Sequence, residues 1–280
     1  MNSLNLIALE DIPFIKPGDD IAEIIFNSIN KNKVAVSDND IFVIAQKIIS
    51  KSENRYMNLD DVETTKNAEK IALKLNKDPR LVQTIINESN KIISIEKNIL
   101  IVEHKLGHVC VNAGVDQSNI ANDNSVLLLP ENPSESSKQL QVKLSHLLNK
   151  NISIIITDSM TRPFRYGVIN FALSSSKIQS LIDLKGSNDI YGNKIKGTEV
   201  ALADELAAAA GLLMGQSNEK KPVVIIKGYQ GINEIDKDAV NSYLSAIEKA
   251  KSEGGKVLVD GGIMEGEGYE SGCYVKPVII

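Results

Sequence analysis

Apolar residues recur at helical spacing in some stretches of this chain and run unbroken in others, and the contrast separates its helices from its strands. Ile21, Ile24, Ile25 and Ile29 share one helical face, with Asp19 and Asp20 just ahead, where a cap and the helix dipole favour acids. Two further helices are predicted near 60–76 and 79–90, the second opened by Asp78-Pro79. Ser134 to Leu148 has apolar positions at the same spacing, and Glu199 to Met214 is alanine-rich, ending at Gly215. Short apolar runs predict strands at Asn5–Leu9, Asp40–Ala45, two pieces within Lys91–Val102, His108–Ala113, Ile152–Thr157 and Pro222–Ile226. The almost wholly apolar run Ile152–Thr157 suggests burial on both faces. It is expected to stop at Asp158 and give way to a polar, basic loop.

After about residue 232 the pattern changes. Asp236 to Glu253 reads as a charged amphipathic helix. Gly254 to Ile280 is glycine-rich and poor in apolar residues until VKPVII, a hydrophobic strand with nothing after it to cap or pair it. A chain of 280 residues holds one substantial core, or one large domain plus a small appendage.

A net charge of −5 and a pI near 5.4 remove any general attraction to nucleic acid or anionic membrane. No apolar run reaches the roughly 20 residues of a membrane helix, and Met1 to Glu10 lacks the basic start and cleavage-like site of a signal peptide. Cys110 and Cys273 follow no metal-ligand spacing and read as reduced thiols of a cytoplasmic protein. Aromatic content of 4% without Trp argues against a stacking platform for single strands or sugars.

Two aspartates carry the candidate chemistry. Asp116 and Asp158 each lie where a strand meets a loop, followed by Asn119 and Ser159, and hard cations such as Mg²⁺ or Mn²⁺ take such oxygens. Each Asp could equally cap a turn. Arg162 and Arg165 follow Asp158 closely, and guanidinium forks suit phosphate or carboxylate. Together with Lys51 these groups would describe phosphoryl transfer, although a solvated basic loop is the alternative. GxxxxGK[ST], GxGxxG and kinase-type loops are all missing. His104 and His108 flank Gly107 among strand-like neighbours, which does not suit a helical zinc pair, and His146 reads as a surface residue.

Six stretches occur in a recognisable order: AQKIISKSE (45–53), VCVNAGVDQSN (109–119), LLLPENPSESS (127–137), IIITDSMTRPFRYG (154–167), DIYGNKIKGTEVALADELAAAAGLLMGQ (189–216) and PVVIIKG (222–228). In order and spacing they resemble the coenzyme F420-0:L-glutamate ligase (gamma-glutamyl ligase) family over residues 1 to about 232, where F420 names a deazaflavin cofactor. The resemblance implies an α+β fold of mixed sheets and packed helices, without a Rossmann or P-loop core, assembled as an intertwined homodimer. It implies GTP as co-substrate, Mg²⁺ or Mn²⁺ with K⁺ assisting, and L-glutamate joined to the deazaflavin precursor through an acyl phosphate. Its metal ligands fall on Asp116, Asp158 and Ser159, with Gln216 a weaker candidate. Its nucleotide contacts fall on Ile12, Pro13, Phe14 and Ile15, on Gln46, Lys47 and Lys51, on Asn119, and on the loop opening at Gly215 and Gln216. Arg162 and Arg165 join them on physical grounds as phosphate or carboxylate contacts. A non-catalytic GTP- and metal-binding protein, or a related ligase with another acceptor, are the alternatives.

The chain departs from the family pattern at Ser159, usually Thr, at Thr161, commonly Gly, and at Phe164, often Trp. Serines also replace glycines after Phe171. From about Ile235 the tail instead is similar to an interior piece of the aldehyde dehydrogenase superfamily, of the aminoadipate-semialdehyde type. It lacks that superfamily's catalytic cysteine segment and main dinucleotide-binding region, so no dehydrogenase activity is expected. A joined or truncated reading frame is the expected origin, and a real fusion the alternative.

Overall fold

The computed structural model describes residues 3–96, 98–120, 124–231 and 237–256 together with the pairs 262–263 and 275–276. Cys273 and much of the glycine-rich tail lie outside the described residues. The chain divides into two compact units, one of residues 1–176 and 180–229, the other of 177–179 and 230–280.

In the first unit the elements run β1 (Asn5–Ala8), α1 (Ile21–Asn32), β2 (Ile41–Ala45), α2 (Gln46–Ser52), β3 (Tyr56–Asn58), α3 (Lys66–Leu75), α4 (Pro79–Asn87), β4 (Ser89–Glu96), β5 (Ile99–His104) and β6 (Val109–Val111). They continue with β7 (Ser125–Leu127), α5 (Pro133–Leu148), β8 (Ser153–Arg162), β9 (Arg165–Ser176), β10 (Ile182–Asp183), β11 (Glu199–Val200), α6 (Leu202–Met214) and β12 (Val223–Lys227). The fold is α+β.

A five-stranded sheet, ordered β1-β12-β2-β8-β9, carries the larger core. Its pairs are antiparallel except β2 with β8, which run parallel from Ile41↔Ser153 to Ala45↔Thr157. Phe42, Ile44, Ile154, Ile156, Val223 and Ile225 point into one buried cluster with Ile21, Ile25 and Ile29 of α1 and Leu140 and Leu144 of α5. α6 packs against β9, β12, β1 and β2. Both faces of β2 and β8 are therefore covered, which explains their unbroken apolar runs.

A second cluster joins Ala68, Ile71, Leu75, Val82 and Ile85 of α3 and α4 to Leu100, Val102 and Cys110 of the β4-β5-β6 sheet. This second layer is built from the chain between α2 and α5, and Met160 of β8 packs against it.

Caps match the sequence signals. The side chains of Asp20, Thr65, Asp78 and Asn132 accept from N–H groups in the first turns of α1, α3, α4 and α5. α1, α3 and α5 end on Lys33, Asn76 and Asn149 in the left-handed region.

Two expectations need correction. β8 does not stop at Asp158 but continues to Arg162 and turns at Pro163-Phe164 into β9, so the polar basic segment is the exposed end of a hairpin, its polarity reflecting solvent rather than loop structure. Glu199 and Val200 are not helical: they pair with Asp183 and Ile182, and α6 begins at Leu202. Tertiary pairing overrides helix propensity there. In the second unit, α7 (Lys237–Ser252) precedes β13 (Gly262–Ile263), which pairs with β14 (Val275–Lys276).

One largely buried ion pair ties the end of β12 to the residue before β2. Lys227 Nζ lies 2.6 Å from Asp40 Oδ2 and 2.7 Å from the Ala35 carbonyl, and the same Asp40 oxygen accepts from Ser37 N. Asp40→Ala leaves that cation without its carboxylate, and the expected cost is about 2–4 kcal/mol, read as a lowered urea midpoint at unchanged slope.

Candidate active site

The site begins where the parallel pairing of β2 with β8 ends. β2 passes without a break into α2, so Gln46 stands beside the middle of β8, where Asp158 follows Thr157. A register shift between Ile156 and Thr157 bulges β9 just before Asp158, a device that re-aims a side chain.

Asp158 accepts hydrogen bonds from Ser159 N at 2.8 Å and from the Gln46 side chain. The Gln46 amide is oriented by Ser50, whose Oγ donates to its Oε1 at 2.8 Å, leaving Nε2 as the donor to Asp158. Burial raises the Asp158 carboxyl from an ordinary 3.8 to about 6, with the charge of Asp116 adding to the rise. The Ser159 N–H, Lys47 and Gln46 only partly offset this.

Asp116 comes from a different layer, fixed by paired backbone bonds with Leu127 at 2.9 and 3.0 Å. Its Oδ1 accepts from Ser118 N at 2.7 Å, and its Oδ2 lies 2.5 Å from Lys47 Nζ. Burial pushes this carboxyl up, but Lys47 and the Ser118 N–H outweigh it and the net direction is down. The two aspartates thus differ: Asp116 is held charged, and Asp158 is a buried carboxylate short of positive charge.

Lys47 also donates to Ser118 Oγ at 2.9 Å and Ser118 O at 3.2 Å. Lys51, one turn further along α2, donates to Asn119 O at 2.8 Å. Burial lowers the Lys51 pKa, and Lys47 lowers it further. Asn119, with φ 55, donates from Nδ2 to Ser217 O at 3.2 Å and ties this segment to the loop after α6.

That loop opens at Gly215, with φ 70 and ψ −174, a conformation that only glycine adopts readily. Ser217 N donates to Glu219 Oε2 at 2.8 Å, and Gln216 Nε2 donates to Asn170 Oδ1 at 2.8 Å. Asn170 is the cross-strand partner of Ser159. Gln216 therefore reaches the cross-strand partner of Ser159. In the Ile12–Ile15 turn, Ile15 is buried and Phe14 is exposed beneath Lys220, whose Nζ lies 5.4 Å from the ring centre.

The arginines stand apart. Arg162 and Arg165 face each other at the hairpin end, four residues beyond Asp158 and so roughly 13 Å along the strand. Arg162 Nη2 donates to Tyr166 O at 3.3 Å, while its buried Nε has no partner. Ser118, Ser50 and Asn170 were not singled out by sequence. Asn170 alone left a trace, as a polar residue inside an otherwise apolar stretch. His104 and His108 stack with ring centres 5.2 Å apart, and burial takes His104 down to about 4. They form no metal pair with the aspartates. An open depression lined by Asp38, Gln141, His146 and Lys150 lies at the opposite ends of β2 and β8 and holds none of the candidate residues.

Among the described residues, no three His, Cys, Asp or Glu side chains gather into a metal-holding group. Asp116, Asp158 and the Ser159 hydroxyl are what a cation would have. Such a set suits Mg²⁺ or Mn²⁺, which take one or two carboxylates and complete their shells with water and phosphate oxygens.

The sequence profile of the family described as F420-0:gamma-glutamyl ligase matches residues 10–228. The chain belongs to the F420-0:gamma-glutamyl ligase family. Among its relatives, the coenzyme F420:L-glutamate ligase of Methanocaldococcus jannaschii is 41% identical over 227 residues, covering 80% of this chain and 88% of the relative. The ligase of the same name from Methanothermobacter thermautotrophicus is 39% identical over 226 residues, covering 81% and 89%. That from Archaeoglobus fulgidus is 36% identical over 225 residues, covering 80% and 88%. All the candidate residues of this gamma-glutamyl ligase family member lie inside the matched span, and the charged helix α7 lies outside it.

Proposed function

We propose that this chain is a GTP- and divalent-metal-dependent ligase that joins L-glutamate to the terminal carboxylate of coenzyme F420-0 and then adds further gamma-linked glutamates. The observation that carries the reading is the pairing of a buried, charge-short Asp158 with a lysine-bound Asp116 where the parallel pairing of β2 with β8 ends, in a chain whose relatives are named coenzyme F420:L-glutamate ligase.

In this reading the acceptor carboxylate attacks the gamma-phosphorus of GTP. The bond to the bridging oxygen breaks, GDP leaves, and an acyl phosphate remains. The amine of glutamate then attacks the acyl carbon, phosphate departs with the bonding pair, and the amine proton is lost as the amide forms. Asp116, Asp158 and Ser159, with Gln216 behind them, would hold the metal, which supplies charge neutralisation for the phosphoryl oxygens. Lys47 and Lys51 would neutralise phosphate oxygens. Gln46 keeps Asp158 oriented, and the Ile12–Ile15 turn, Asn119 and Gly215 would border the nucleotide. K⁺ is proposed as an assisting ion.

Arg162 and Arg165 are assigned to the substrate's phosphate or carboxylates. The apolar tip formed by the exposed Phe164 and Tyr166 supports a homodimer in which the hairpin reaches a second copy. No helix among the described residues is long and apolar enough to cross a membrane, and a cytoplasmic location is proposed.

Incubation with GTP, Mn²⁺, L-glutamate and F420-0 tests the assignment by mass spectrometry. The expected result is stepwise glutamyl addition with one GDP released per step. GTP binding without product would favour a non-catalytic binder, and product only with another acid would favour a different acceptor. The tail is proposed as a separate, non-catalytic fragment. Truncation after residue 232 is expected to leave GTP binding within about twofold, measured by calorimetry; loss of binding would overturn that assignment.

A further inference from the structure

The ammonium group of Lys47 has three protons and gives all three to one short segment: Asp116 Oδ2 at 2.5 Å, Ser118 Oγ at 2.9 Å and Ser118 O at 3.2 Å. Lys51 lies four residues on along the same helical face and binds the next carbonyl, Asn119 O, at 2.8 Å. Two cations from α2 are therefore engaged by Asp116 to Asn119. No phosphate-directed donor is left over from Lys47 in this arrangement. The Asp116 oxygen that faces Lys47 is the one that accepts no backbone N–H, so a metal approaching it meets the ammonium there, while Oδ1 accepts from Ser118 N.

We propose that Lys47 is a placeholder cation, which occupies Asp116 until metal and nucleotide phosphate arrive together. The proposal rests on the metal and nucleotide reading above. Metal alone must displace an ammonium held by a half-buried carboxylate, and the displaced charge would then face the metal without compensation. Phosphate alone must draw Lys47 away and leave Asp116 beside Asp158, two carboxylates with no cation between them. When both arrive, the carboxylate passes to the metal and the ammonium to the phosphate, and each exchange removes the penalty of the other. This is positive coupling between two ligands through one side chain, of the size common for such linkage, about tenfold. Lys47 acts here as a positioning residue that sets the order and cooperativity of binding.

Titration of the full-length protein with Mn²⁺ alone, followed by electron paramagnetic resonance of the free ion, tests the proposal. Lys47→Met keeps the apolar stem and removes the charge, and it is expected to bind Mn²⁺ alone about tenfold more tightly than the unaltered protein. Lys47→Gln, still able to donate to Asp116, should shift in the same direction. Lys47→Arg, which retains the cation, should not. Equal or weaker Mn²⁺ binding in both neutral variants overturns the placeholder role. If the unaltered protein still binds Mn²⁺ with GTP present, that result leaves the underlying site assignment standing. Failure of the unaltered protein to bind Mn²⁺ even with GTP overturns the site assignment, and the placeholder role with it.

Discussion

Asp158→Asn is expected to abolish turnover and, at the same time, to stabilise the metal-free protein. The substitution keeps the shape and an oxygen acceptor but removes the charge that would bind the metal, and a loss of about 10³-fold or more in kcat follows. The opposite effect on stability comes from the same burial. A carboxyl raised from 3.8 to about 6 in the folded protein contributes stability that is full below the unfolded value and is lost as pH rises through about 6. At pH 8 the ionised group is a net cost. Its partly exposed edge lets water screen some of that cost, leaving a gain of about 1–2 kcal/mol for the amide. Thermal unfolding at pH 8 with chelator present reads this gain, which should vanish near pH 4. Metal affinity has the matching dependence, since a ligand must be deprotonated to bind. Apparent Mn²⁺ affinity is expected to fall as pH drops through about 6. A variant with near-normal turnover would remove Asp158 from the metal site.

Gly215→Ala is expected to have the second largest effect. At φ 70 and ψ −174 the backbone lies where a side chain is strained, at a cost of about 1–3 kcal/mol. An added Cβ would also stand 2.1 Å from Glu219 Cδ. The Glu219 side chain can move aside, but it then gives up the Ser217 N–H it accepts at 2.8 Å. Ser217 is the residue whose carbonyl receives Asn119, so the disturbance reaches the segment carrying Asp116. GTP affinity should fall at least about tenfold while the far core, around α3 and α4, keeps its amide-exchange protection. Unchanged GTP affinity would remove this loop from the nucleotide site.

Much of this was legible from local pattern. α1, α4 and α5 announce themselves by apolar spacing and by capping residues that the structure uses. The buried strands β2, β8 and β12 are unbroken apolar runs because layers cover both faces. Asp116 and Asp158 were visible as acids closing apolar runs, although Asp158 lies within β8 and not at its end. What escaped depended on distant partners. The polar half of β8 looks like a loop until β9 is set against it, and Glu199-Val200 look helical until Ile182-Asp183 pair with them. Lys47 and Ser118 are 71 residues apart, so no local window could reveal that the lysine sits on the segment carrying Asp116. Asn170 likewise gains its meaning only from Gln216, 46 residues away.

The most direct measurement is a crystal of this protein grown with Mn²⁺ and a non-hydrolysable GTP analogue, with data collected at the manganese absorption edge. An anomalous peak bound by Asp116, Asp158 and Ser159, with phosphate oxygens completing its shell, is the predicted result. Bound nucleotide with manganese elsewhere, or with Lys47 still on Asp116 and no metal beside Asp158, would contradict the account.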